Sequence, residues 1–73
     1  MPKLPVISGM KTVKAFQKAG WTVKRQTGSH IIMEKAEYIA TLSVPNHKEI
    51  KRGTLKNLIK DAKLTIEEFL DLL

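Results

Sequence analysis

The spacing of apolar residues along this chain changes twice, from helical to alternating and back. Met10, Val13, Phe16 and Ala19 recur at helical intervals. Ser8 precedes them where an N-cap side chain accepts a backbone N–H, and Gly20 follows where a left-handed C-terminal residue is favoured. The pattern predicts an amphipathic helix over 9–19 with Lys11, Lys14 and Lys18 on its exposed side. From Trp21 the period becomes two: Trp21, Val23 and Arg25 fall on one side of a strand, Thr22, Lys24 and Gln26 on the other, until Thr27-Gly28 supplies a turn. Ser29 to Glu34 forms a second strand and Lys35-Ala36-Glu37 a short turn. Tyr38 to Val44 forms a third strand, which Pro45 ends because proline has no ladder donor. Ile31 and Ile32 are both apolar, so the spacing leaves open which sheet face His30 occupies.

After the polar stretch "NHKEIKRG", residues Leu55, Leu58, Ile59 and Ala62 return to helical spacing and predict a helix over 52–62. Thr65 with Glu68 makes a capping box for a last helix with the apolar stripe Ile66, Phe69, Leu70 and Leu73. The expected order is α-β-β-β-α-α, an α+β fold. Its three-stranded antiparallel meander would carry the helices on one face and leave the other face or an edge to a partner.

Composition narrows what such a partner is. The chain has 73 residues, so 1–73 is read as one unit with a small core, and a deep catalytic cavity is not expected. Thirteen Lys and Arg against seven Asp and Glu give net +6. That charge favours an anionic partner such as nucleic acid, a membrane surface or an acidic protein, against the plainer reading of a basic surface that only confers solubility. There is no cysteine, which removes disulfides and thiolate zinc sites and suggests the cytosol. With His30 and His47 as the only histidines and no dense acidic cluster, neither a metal nor a cofactor is expected. The N-terminal "MPKLPVISG" lacks a signal-peptide core and no apolar run reaches membrane-spanning length, so a soluble, unprocessed chain without membrane attachment is expected.

The stretch "QTGSHIIMEK" holds the most suggestive chemistry. Gly28 lets a backbone approach closely, Ser29 adds a hydroxyl, and Lys24, Arg25 and Lys35 stand on the neighbouring strands and turns, a setting that suits a phosphate. An imidazole takes and gives protons near neutrality. In RNA, a base that removes the 2′-hydroxyl proton lets that oxygen attack the adjacent phosphorus without a metal or a protein nucleophile. The cations would offset charge on the phosphoryl oxygens, and water or His47 would serve the leaving oxygen. Against this, His30 has no carboxylate placed to orient it and also reads as an ordinary strand histidine.

His47 reads as a loop histidine that hydrogen-bonds backbone or approaches the following helix start. The run Lys48 to Arg52 suits phosphate together with the amides near Gly53 and Thr54, but also suits a solvated face. Trp21, Tyr38 and the two phenylalanines read as core, and no aromatic pair has the spacing of an RNA-stacking platform.

The blocks "LPVISG", "FQKAGW", "VKRQTGSHIIM" and "VPNHKEIKRGTLKNLIKDAKLTIEEFLDLL" resemble, in order and over nearly the whole chain, the HicA toxin family of HicA/HicB toxin-antitoxin systems. The most specific pieces are Gly28-Ser29-His30 and the Pro45-x-His47 loop leading to Gly53-Thr54-Leu55. The resemblance implies a fold like the double-stranded RNA-binding domain, used by a small ribonuclease that cleaves mRNA and arrests translation and growth. It implies that His30 is the catalytic residue and that a HicB-type antitoxin binds and covers the site. Lys24, Arg25, Gly28, Ser29 and Lys35 are the expected substrate-binding residues. The alternatives are an RNA-binding module that does not cut, and a chain whose basic face chiefly docks an acidic protein.

Overall fold

A computed structural model describes residues 3–73; Met1 and Pro2, the start of the N-terminal stretch read above, lie outside them. The elements are α1 (Gly9–Lys18), β1 (Thr22–Thr27), β2 (His30–Glu34), β3 (Leu42–Pro45), α2 (Arg52–Asp61) and α3 (Ile66–Asp71), in the expected order. The strands form one antiparallel sheet in the order β1-β2-β3. Ile31, Met33, Leu42 and Val44 share one sheet face and are buried against Val13 and Phe16 of α1, Leu55 and Ile59 of α2, and Phe69 of α3. All helices thus cover one face. Phe16 and Phe69 meet at 5.3 Å between ring centres in a tilted pair, a geometry worth about 0.5–1.5 kcal/mol beyond simple burial.

The helix signals act as read. Ser8 Oγ accepts from Lys11 N–H, Gly20 has φ +100°, and Thr65 with Glu68 forms the capping box. The apolar stripes need adjustment. Met10 is exposed, and Thr12 and Ala15 fill the buried face of α1 instead; the Thr12 hydroxyl donates to Ser8 O, so a polar side chain is buried without an unmet hydrogen bond. In the last segment Leu72, not Leu73, packs on the core: Leu72 keeps right-handed helical dihedrals three residues after buried Phe69, while Leu73 is exposed.

Two strand readings are corrected. Val23 pairs with Met33 but Arg25 pairs with Ile32, so Lys24 is an extra residue, a bulge, in β1. The bulge puts Val23 and Arg25 on opposite faces, where simple alternation would put them together. The third strand begins at Leu42 rather than Tyr38. Glu37 takes φ +71° in the preceding turn, and Tyr38 folds back to meet the Trp21 indole edge-on at 5.4 Å, leaving residues 38–41 outside the ladder.

Glycine matters differently at two helix starts. A Cβ on Gly9 would lie 2.1 Å from Pro45 O, whereas one on Gly53 would meet nothing within 4 Å. Gly53→Ala is therefore expected to raise stability by up to about 1 kcal/mol through helix propensity alone, measured as a higher urea midpoint with unchanged slope.

Candidate functional site

His30 opens β2 directly after the Thr27-Gly28-Ser29 turn. Gly28 holds φ +52°, the left-handed conformation that such a turn needs. Because Ile31 faces the helices, His30 and Ile32 face the open side of the sheet, which settles the face that the two isoleucines left undecided. The His30 side chain is exposed. Its cross-strand neighbours are Thr27 on β1 and Pro45 on β3. Arg25, paired with Ile32, projects from the same face one diagonal step away. Ser29 Oγ lies 3.3 Å from His30 Nδ1. When Nδ1–H donates to that hydroxyl, Nε2 is left with a lone pair free to accept a proton.

Of the expected substrate-binding residues, Arg25, Gly28 and Ser29 lie around His30, and Lys24 sits on the bulge beside Arg25. Lys35 does not join them. It lies at the other end of β2, about 16 Å along the strand, with Nζ 5.0 Å from the centre of the Tyr38 ring and its chain against Gly20. Its cation is engaged with an aromatic face, so its proximity to His30, expected from the sequence, is corrected.

The second histidine arrives at the same corner. Pro45 is the last residue of β3, not the residue after it. Asn46 N–H donates to Ser29 O at 2.6 Å, so His30 and Pro45 form the narrow pair whose backbone groups point away from each other, and proline loses nothing there. The following loop is tied to the N-terminal segment by three hydrogen bonds: Gly9 N–H to His47 O at 2.8 Å, Ile50 N–H to Ile7 O at 2.8 Å, and Arg52 Nε–H to Leu4 O at 2.7 Å. His47 is thus held by its own carbonyl, and its ring is exposed. Arg52 serves the fold rather than standing free, and Ile50, inside a stretch read as polar, is buried. Gly9, Asn46 and Ile50 position the site without having been singled out. A glycine at the first helical position, where propensity disfavours it, was the available signal for one of them.

Among the described residues no three His, Cys, Asp or Glu side chains cluster where they could hold a metal ion, and no helix is long and apolar enough to cross a membrane.

A three-stranded antiparallel meander preceded by one helix and followed by two, all on one face, defines an α+β fold of the double-stranded-RNA-binding-domain type. Residues 9–64 match the family model for the HicA toxin of bacterial toxin-antitoxin systems, and the chain belongs to the HicA toxin family. A solved chain described as a toxin-antitoxin complex from Streptococcus pneumoniae is similar to it at 30% sequence identity and a TM-score of 0.72, over 80% of this chain and 98% of that one. No curated protein matches the chain.

Proposed function

We propose that this chain is an endoribonuclease toxin that cleaves mRNA with His30 as general base, and that a HicB-type antitoxin neutralises it. The observation that carries this reading is the exposed imidazole on the open sheet face, beside the Ser29 hydroxyl and one diagonal register step from Arg25 on the same face. An open face suits a long polymer better than a small molecule. His30 Nε2 removes the proton of a ribose 2′-hydroxyl, and the oxygen attacks the adjacent phosphorus, leaving a 2′,3′-cyclic phosphate on one product and a 5′-hydroxyl on the other. Arg25 offsets charge on the phosphoryl oxygens as the transition state forms, with Lys24 beside it. Family membership and the similarity to a chain from a toxin-antitoxin complex support both the toxin role and the antitoxin partner. An antitoxin that lays acidic side chains across the Arg25 and His30 face would exclude RNA both sterically and electrostatically.

The competing reading is an RNA-binding domain that does not cut, which the fold type and the net charge of +6 also permit. Purified protein mixed with labelled RNA in excess chelator separates them. The expected result is shortened RNA; intact RNA whose gel shift weakens steeply as salt rises would establish binding alone.

A further inference from the structure

Transfer of the 2′-proton completes only half of the proposed reaction. The 5′ oxygen leaves as a strongly basic alkoxide unless it is protonated as its bond to phosphorus breaks, and an imidazolium is the side-chain acid suited to that near neutrality. His30 and His47 are the chain's only histidines. Seventeen positions apart, they are brought to one corner of the sheet. Pro45 lies across from His30 at a Cα separation of about 4.5 Å and His47 is two residues further on, so the two histidine backbones are at most about 12 Å apart.

The loop that presents His47 is fixed from two sides. Asn46 N–H holds it to Ser29, the residue preceding His30, and Gly9 N–H holds the His47 carbonyl. Gly9 makes the second tie possible, since a Cβ there would run into Pro45 O and come within 3.0 Å of Asn46 Cα. All of this anchoring uses backbone atoms. Among the described residues no side-chain hydrogen bond engages the His47 ring, which leaves it at the surface with both nitrogens available.

We infer that His47 is the general acid of the reaction. This rests on the reading of His30 as base and extends it to a two-histidine mechanism. Neutral His30 takes the 2′-hydroxyl proton as the 2′-oxygen bonds to phosphorus. The bond from phosphorus to the 5′ oxygen breaks, and that oxygen takes a proton from His47 imidazolium. The enzyme is left with His30 charged and His47 neutral, and exchange with water restores the starting state.

The test compares wild type, His47→Ala and His47→Asn on one RNA made in two forms. One is natural; in the other the 5′ oxygen at the scissile bond is replaced by sulfur, which departs as a thiolate without needing a proton. The wild type first locates the bond it cuts. Both His47 variants are expected to lose about 10²–10³-fold on natural RNA while staying within a few-fold of wild type on the sulfur form. The bell-shaped pH profile of wild type should become a single limb rising with pH. His30→Ala should fail on both RNAs. Equal losses of the His47 variants on both RNAs, or no loss on natural RNA, would overturn the assignment to His47 while leaving His30 as base. Wild type that cuts neither RNA overturns both. The variants' circular dichroism should match that of wild type, since the contacts at this position come from the backbone. A variant that loses its folded spectrum would show the ring to be structural and would also count against the assignment.

Discussion

His30→Ala is expected to fold normally and to cut RNA about 10²–10⁴-fold more slowly, the usual range for removing a positioned general base. The fold should survive because the ring is exposed and, among the described residues, its one side-chain hydrogen bond is with Ser29 at 3.3 Å on the surface. Surface substitutions of that kind usually stay within about 0.5 kcal/mol. Cells expressing wild type without an antitoxin should stop growing and lose total mRNA, whereas cells expressing His30→Ala at the same level should keep both. A folded His30→Ala protein with full cleavage would remove the histidine from the chemistry. The substitution therefore separates stability from activity cleanly, and Gly9 offers the opposite case.

Gly9→Ala is expected to be strongly destabilising. The added carbon would sit 2.1 Å from a backbone carbonyl and 3.0 Å from Asn46 Cα, and neither neighbour is the free end of a flexible side chain. Either α1 or the Pro45-Asn46 segment must move, which strains the hydrogen bond from Gly9 to His47 and the neighbouring one from Asn46 to Ser29. Overpacking of this kind costs about 1–3 kcal/mol. In a domain this small that lowers the melting temperature by roughly 5–20 °C. Cleavage should fall as well, because the displaced loop is the one beside His30. The sign is informative, since alanine is otherwise the better helix former and Gly53→Ala, with open space around it, is expected to stabilise. A Gly9→Ala protein as stable and as active as wild type would mean that the loop is not held where the structure puts it.

Much of the fold was legible because the signals were local. The capping box at Thr65, the left-handed Gly20 and the stripe of Leu55, Leu58 and Ile59 each act within one element. The bulge at Lys24 was not legible, since no glycine or proline marks it and it is set by pairing with β2. The late start of β3 was hidden for a similar reason: residues 38–44 alternate well, but Glu37 turns the chain with a positive φ and Tyr38 packs on Trp21 outside the ladder, a contact between distant positions. At the site, His30, Ser29 and Arg25 could be singled out from their neighbours in sequence. Lys35 is near them in sequence, yet strand rise carries it to the far end of β2, over the Tyr38 ring. The convergence of Gly9, Asn46 and His47 is carried entirely by long-range backbone hydrogen bonds, which no local spacing encodes.

The most direct measurement is the chemistry of the RNA ends after wild-type cleavage in excess chelator, with His30→Ala as the companion reaction. Attack by the 2′-oxygen through His30 predicts a 2′,3′-cyclic phosphate and a 5′-hydroxyl from wild type, and neither from the variant. A 5′-phosphate with a 3′-hydroxyl, or the cyclic product appearing undiminished from His30→Ala, would contradict it.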